Sequence, residues 1–270
     1  MALLSKETLE VKRKWQLQNV HDAIYPLYFP VSLLLLWQLT GTFGFVEEHI
    51  LPTPLKILST SWLLLSNGEL FTHLLASGQR VVFGFLLGTI AAIILGVATG
   101  FSKIVQQIID PSLQMLRTVP LLSLIPLFIL WFGVGEFGKV LMIALGAFFP
   151  VYVNIFLGIR LVDQKLYEVT GILQYSFKDK LTKLIFPSAM PNILLGLRLA
   201  MGTSWLVLVV SEMMGTNAGI GYMIQDARAY SQTDIVFVGL ILFIILGKLT
   251  DSIVASIEKR ALKWRDTYKG

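Results

Sequence analysis

Long apolar stretches alternate with short polar or basic stretches along most of the chain. Several apolar stretches carry no formal charge over about twenty residues, the length that an α-helix needs to cross the hydrocarbon core of a bilayer. The pattern therefore predicts an all-α, polytopic helical membrane protein with six spans. The spans are expected at 23–46, 81–102, 119–135, 140–159, 192–215 and 234–257.

Prolines and glycines add detail to two of these spans. Pro120 and Pro126 predict that the third span is kinked or broken. The second span has two pairs of glycines four residues apart, which let another helix approach closely. We favour packing within the chain over a dimer seam for these glycines. The dipeptide at 110–111, Asp-Pro, is expected to start a short helix before the third span.

Composition supports a membrane protein and excludes several chemistries. Of the 270 residues 55% are hydrophobic and 14% charged, and mean hydropathy is +0.71, whereas soluble domains have about 25% charged residues. Cysteine is absent, which excludes disulfides and thiolate chemistry. The three histidines lack ligand-like spacing, so no metal site is expected. No phosphate loop, H-E-x-x-H or G-x-S-x-G motif occurs, so neither ATP hydrolysis nor another enzyme activity is expected.

The distribution of charge predicts the orientation. Six spans place both termini on one side, where most Lys and Arg residues also fall, whereas only Lys56, Arg80, Lys139 and Arg228 fall on the other. The positive-inside rule then makes both termini cytoplasmic. The net charge of +5 is explained by these basic loops rather than by nucleic acid. Residues 1–22 are expected to form a basic interfacial segment without a cleavable signal peptide, and 258–270 a basic cytoplasmic tail.

The polar stretch at 168–187 is the most informative part of the chain. Its apolar residues recur at three- and four-residue steps, which is typical of an amphipathic helix. Pro187 and Pro191 are expected to end this pattern and to restart the chain as the fifth span. An amphipathic helix held between two spans is suited to dock onto a partner outside the membrane.

This stretch resembles the "EAA" loop of the permease subunits of ABC importers. Glu168 and Pro187 stand at the Glu and Pro positions of the family pattern with the family's spacing, and Leu184 stands where isoleucine is usual. Gln174 replaces the family glycine, which normally allows a sharp turn between two short helices. The resemblance therefore predicts either a shallower turn or a turn at Gly171.

The resemblance extends over roughly residues 50–260. The segments LRTVPLLSLIPLFILWFGVGE, FPVYVN, GLRLAMGTSWLVLVVSEM and GIGYMIQDAR are similar to permeases of the aliphatic sulfonate, taurine and nitrate branch, most closely to the aliphatic sulfonate permeases. The resemblance implies the type I importer permease fold, a second copy of the chain, two cytoplasmic ATP-binding subunits that hold ATP and Mg, and an extracytoplasmic substrate-binding protein. It implies a small anionic solute, with taurine, nitrate or bicarbonate as alternatives to a sulfonate, in the inner membrane of a bacterium. An ion-coupled secondary transporter is a less favoured alternative, since mid-membrane carboxylates and inverted repeats are not evident.

Three residues of the fifth span are candidates for a translocation path. Arg198, Trp205 and Glu212 are spaced by seven and so share one face of a helix. Arg198 either attracts an anion in the path or extends to the membrane surface, and Glu212 either lines the path or caps the outer end of the span. Lys248 and Asp251, three residues apart, are expected to neutralise each other.

Overall fold

The computed structural model describes residue 25 and residues 28–264, and every regular element in this part of the chain is helical. The predicted interfacial segment at 1–22 lies outside the described residues. The described helices are α1 (28–42), α2 (Pro54–Ser66), α3 (Glu69–Phe101), α4 (Lys103–Arg117), α5 (Ile125–Phe132), α6 (Glu136–Arg160), α7 (Gln164–Ile172), α8 (Phe177–Glu212), α9 (Ile220–Ala229) and α10 (Thr233–Ala261).

The all-α membrane architecture is confirmed, but six spans are not fully matched. In the described residues, α3, α6, α8 and α10 are long and apolar enough to cross a membrane. A fifth crossing is reached if α4 and the segment Leu121–Phe132, which are bent by 92° against each other, count as one span. The bend lies beside Pro120, where a break was predicted, but the predicted span at 119–135 was wrong as a crossing: it holds only the short turn Leu121–Leu124 and α5, and the possible span begins at Lys103. The first predicted span corresponds to α1, whose predicted start lies outside the described residues.

The predicted helix starts were wrong in two places. The second span begins at Glu69, twelve residues before the predicted 81, as one continuous helix. The Asp-Pro dipeptide does not start a helix, because Pro111 lies inside α4. The Ser102 hydroxyl accepts a hydrogen bond from the Val105 N–H at 3.3 Å and so caps α4 eight residues earlier.

The prediction that Pro187 and Pro191 interrupt the chain was also wrong, because α8 runs continuously from Phe177 to Glu212. Its residues Lys180–Ile185 form a wide turn, in which the Phe186 N–H reaches back five residues to the Leu181 carbonyl. A wide turn just before a proline relieves the clash between the proline ring and the preceding carbonyls. The second helix of the polar loop and the membrane helix are therefore one uninterrupted helix.

Helix α6 is the centre of the bundle and packs between α3 and α8. The glycines of α3 make this possible, since a methyl group at Gly88 would overlap the main chain of Ala144, and one at Gly84 would overlap Ile143. These glycines thus serve packing within the chain. Helix α10 packs against α2, α8 and α9, and most of its surface is exposed.

The bundle has two chemically different ends. We call the end with Phe101, Arg160 and α7 the basic end, and the end with Glu69, Glu136 and Glu212 the far end. Helices α3 and α6 both run from the far end to the basic end, and α8 returns from the basic end to the far end.

Candidate functional site

The polar loop at the basic end is a helix, a tight turn and a second helix. The Asp163 side chain caps α7 by accepting a hydrogen bond from the Lys165 N–H at 2.9 Å. The Ser176 hydroxyl accepts from the Asp179 N–H at 3.2 Å and so caps α8. Both helices of the loop are therefore defined by local capping residues.

Gln174 forms the turn between these helices. Its φ is +51°, in the left-handed region, and the Tyr175 N–H donates to the Thr170 carbonyl at 3.0 Å. Gly171 lies within α7, and although its carbonyl accepts from the Gln174 N–H at 3.0 Å, the left-handed residue of the turn is Gln174 rather than Gly171. The turn stands where the family pattern has its glycine, although glutamine occupies the position.

The loop has a buried face and an exposed apolar face. Leu184 and Thr170 are buried, and Leu184 joins the core formed with α3 and α6. Ile172 and Phe177 are 82% and 72% exposed, which is unusual for large apolar side chains on one loop. Glu168 is exposed and has no ion pair among the described residues. The loop is thus anchored inward and carries unsatisfied surface outward.

Of the predicted path residues, Arg198 and Trp205 contact α10. The Arg198 guanidinium donates to both carboxylate oxygens of Asp251, at 2.6 and 3.1 Å. Lys248 Nζ lies 3.8 Å from the same carboxylate, so its predicted pairing is present but secondary. The Trp205 Nε1–H donates to the Thr250 hydroxyl at 3.1 Å.

Glu212 lies at the far end and is fully buried. Its carboxylate accepts hydrogen bonds from the Ser77 hydroxyl, the Arg80 guanidinium and the Gly221 N–H, each at 2.7 Å. Gly219, with φ +134°, lies so close that a side chain there would collide with this carboxylate. A role of Arg198, Trp205 and Glu212 on a translocation path stays a prediction.

The buried network around Arg80 was not predicted from the sequence. The Arg80 guanidinium also donates to both oxygens of Glu136, at 2.6 and 2.8 Å, and to the Ala218 carbonyl and the Thr216 hydroxyl. The only signal was that Arg80, Glu136 and Glu212 all fall near ends of predicted spans on the same side. The network ties α3, α6, α8 and the segment before α9 together.

A cavity of about 610 Å³ between the α4–α5 bend, α6 and α8 was not predicted either. Its walls are mainly apolar, with Phe149 from α6 and Leu206 from α8. The polar residues are Asn154 and Thr203, and the Thr203 hydroxyl donates to the Gly146 carbonyl at 3.0 Å. Arg117, which sequence reasoning placed in a cytoplasmic polar stretch, is the one charged residue that the described part of the chain contributes to the wall.

Comparison with known proteins agrees with this architecture. The family of binding-protein-dependent transport-system inner membrane components matches residues 84–263. The chain is 50% identical over 267 residues to the putative aliphatic sulfonates transport permease SsuC of Bacillus subtilis, covering 99% of this chain and 97% of that protein. It is 40% identical to SsuC of Escherichia coli, with 95% of both chains covered. It is 30% identical to the Escherichia coli taurine transport system permease TauC, with 98% of both covered.

The fold and the comparisons define an integral membrane component of a transport system. The chain belongs to the permease family of ABC importers, whose members work with ATP-binding subunits and a substrate-binding protein.

Proposed function

We propose that this protein is the transmembrane subunit of an ATP-driven importer for aliphatic sulfonates. The observation that carries the proposal is the loop at the basic end, whose exposed Ile172, Phe177 and Glu168 need a partner. The chain has no phosphate-binding loop, so energy must come from a separate ATP-binding subunit that holds ATP and Mg. This chain itself then needs no cofactor and has no enzyme activity.

The loop is suited to transmit motion. Because the wide turn Lys180–Ile185 is part of the continuous helix α8, a displacement of the loop at Phe177 passes into the membrane helix that ends at Glu212. The Lys183 ammonium pairs with Asp179 at 2.7 Å and lies 5.2 Å from the centre of the Tyr175 ring, which braces the turn. Closure of the two ATP-binding subunits would rock the helices between two arrangements, as alternating access requires.

The arrangement that we propose is a pair of these chains with both termini and the loop in the cytoplasm. The basic end carries Arg160, Lys165, Lys178 and the end of α10, which agrees with the positive-inside rule. The second copy would cover exposed apolar surface that a single chain leaves open.

Sulfonate as the substrate is supported by the identity of 50% to a putative aliphatic sulfonates permease. The test is ATP-dependent uptake into proteoliposomes that contain this chain, its ATP-binding subunit and its binding protein. We expect uptake of alkanesulfonates, with weaker uptake of taurine. Uptake of taurine alone would assign the protein to the taurine branch, and uptake driven by a proton gradient without ATP would refute the importer.

A further inference from the structure

The open cavity between the α4–α5 bend, α6 and α8 has mainly apolar walls and one unpaired cation, whose side chain is exposed in the single chain. Arg117, the last residue of α4, lines the cavity, and its guanidinium has neither an ion pair nor a hydrogen bond within the described part of the chain. We propose that Arg117 holds the anionic head of the transported solute and that the apolar walls receive its alkyl chain. Arg117 would then be a specificity-determining residue of the permease itself.

Contacts between α4 and α6 fix the depth of Arg117. The Arg160 guanidinium donates to the Gln106 side chain at 2.6 Å, and the Tyr152 hydroxyl donates to Asp110 at 2.7 Å. Helix α4 therefore rises along α6 from the basic end, and Arg117 shares the cavity wall with Pro150. At 1.5 Å per residue, Pro150 is about 15 Å from Arg160 and about 21 Å from Glu136. Arg117 thus lies about halfway between the two ends of the bundle, with its side chain exposed in the single chain.

An unpaired arginine at this depth is costly in lipid, and such residues face a water-filled path or a partner. A guanidinium can donate two parallel hydrogen bonds to two oxygens of one sulfonate group. The second amide hydrogen of Asn154 is not needed by its bond to the Pro150 carbonyl and is a further donor. Among the described residues, no carboxylate lines the cavity to neutralise Arg117 or to repel an anion.

The apolar walls suit the remainder of an amphiphilic solute. The side chains that line the same cavity and suit an alkyl chain are Leu121, Phe149, Val153, Leu206 and Val207. A bare inorganic anion such as nitrate gains nothing from these walls, whereas each buried methylene of a sulfonate strengthens binding. The geometry therefore favours a small amphiphilic anion over a purely polar one.

Arg198, the cation that the sequence made a candidate for this role, is the useful contrast. Its guanidinium is held by Asp251, and Glu258 lies 3.8 Å away. An anion would have to compete with these carboxylates at Arg198, whereas at Arg117 it meets no competing carboxylate from the described part of the chain.

Charge and occupancy at the site can be measured by thiol labelling, without a transport assay. The chain has no native cysteine, so a single introduced cysteine is its only thiol. Leu206→Cys places a thiol in the cavity at a side chain that is 71% exposed, and Leu161→Cys gives a control thiol of equal exposure outside it. Membrane vesicles holding the full chain with its ATP-binding subunits are treated with 2-sulfonatoethyl methanethiosulfonate, which is anionic, or its trimethylammonium analogue. The ratio of the two rates reports the local charge and cancels changes in thiol reactivity.

We expect Arg117→Gln to lower the anionic-to-cationic rate ratio at Leu206→Cys by about tenfold. Arg117→Lys should keep the ratio within about threefold, and Arg260→Gln, a change of an exposed arginine elsewhere, should leave it unchanged. The ratio at Leu161→Cys should not respond to Arg117→Gln. Preincubation with alkanesulfonates should protect Leu206→Cys, with the half-protecting concentration falling about two- to fourfold per added methylene.

A thiol that is inert in every nucleotide state, or a ratio indifferent to Arg117→Gln, overturns the proposal. If nitrate protects the thiol of Leu206→Cys at the same concentration as hexanesulfonate does, the apolar walls have no role in binding. Vesicles of zwitterionic lipid are compared with vesicles containing anionic lipid, since protection by anionic lipid alone would make a lipid headgroup the occupant. The inference rests on the proposed function, but a wild-type protein that imports no sulfonate refutes that function, whereas loss of the charge effect refutes the site.

Discussion

The two ends of the bundle differ in how completely their groups are satisfied within one chain. At the far end, the buried Arg80 guanidinium and Glu212 carboxylate each have several hydrogen-bond partners. At the basic end, Ile172 and Phe177 are exposed, and Glu168 has no ion-pair partner in the described part of the chain. Removing one side of the Arg80–Glu212 ion pair should therefore harm folding, whereas a change at the basic end should act on the ATP-binding subunit that we propose docks there.

The largest effect is expected from Arg80→Ala. The substitution leaves the carboxylate of Glu212 buried without its cation, and breaking a buried ion pair costs about 3–5 kcal/mol. The free energy of unfolding of the purified chain in detergent measures this loss. Arg228→Ala, which removes an exposed arginine of α9 at the same end, is the matched control and should change stability by about 0.5 kcal/mol or less.

The double variant Arg80→Met with Glu212→Leu sharpens this test. Replacing both charges with apolar groups of similar volume should recover a good part of the stability that Arg80→Ala loses. If Arg80→Ala and Arg228→Ala destabilise the protein equally, the far end is not held by this network.

The next effect concerns coupling at the basic end. Glu168→Lys should leave insertion intact, because Glu168 is exposed and has no ion pair among the described residues. The reversed charge should abolish most of the stimulation of ATP hydrolysis by substrate-loaded binding protein in the reconstituted complex. Glu48→Lys, a charge reversal on an exposed residue away from the loop, should retain it. Stimulation at the wild-type level would remove Glu168 from the coupling contact.

A smaller effect is expected from the apolar face of the loop. Phe177→Ala removes an exposed ring whose burial against a partner would be worth about 1.5–3 kcal/mol, so affinity for the ATP-binding subunit should fall about tenfold or more. Co-purification at graded concentrations of that subunit measures the change. Leu130→Ala shortens a similarly exposed side chain on α5 and should have no effect. Equal losses in both variants would mean that the ring does not mark the docking surface.

The fold could be predicted from the sequence where one pattern decided the structure. Long, mainly apolar stretches located α3, α6, α8 and α10, because lipid demands a continuous apolar surface and internally bonded backbone. The prolines led to a wrong prediction around Pro187, since a local wide turn removed the conflict that normally ends a helix. The apolar pattern thus located the membrane-spanning helices but not the residues at which the helices begin.

The candidate functional residues likewise fall into a group that could be predicted from the sequence and a group that could not. The loop that we propose couples the chain to its ATP-binding subunit was recognisable because its residues are close in sequence, from Glu168 to Pro187. The cavity was not, since Arg117, Asn154 and Thr203 come from three helices that only the tertiary packing brings together. The pairing of Arg198 with Asp251 bridges 53 residues and has no local signal either.

The smallest effect is expected at the turn of the loop, where Gln174→Gly tests whether the glutamine is needed. A left-handed conformation costs an L-residue about 1–2 kcal/mol, whereas glycine adopts it freely but gains about 0.5–1 kcal/mol of entropy in the unfolded chain. The net change in the free energy of unfolding should lie between zero and about 1.5 kcal/mol in favour of glycine. The Gln174 side chain makes no hydrogen bond within the described residues, so affinity for the ATP-binding subunit should be unchanged.

The neighbouring Leu173→Gly is the control, because Leu173 has φ −75° and its replacement adds flexibility without relieving strain. If Gln174→Gly weakens the ATP-binding subunit's affinity as much as Leu173→Gly does, the loop has been rebuilt around the glutamine side chain, and the turn is not simply the family turn with a strained residue.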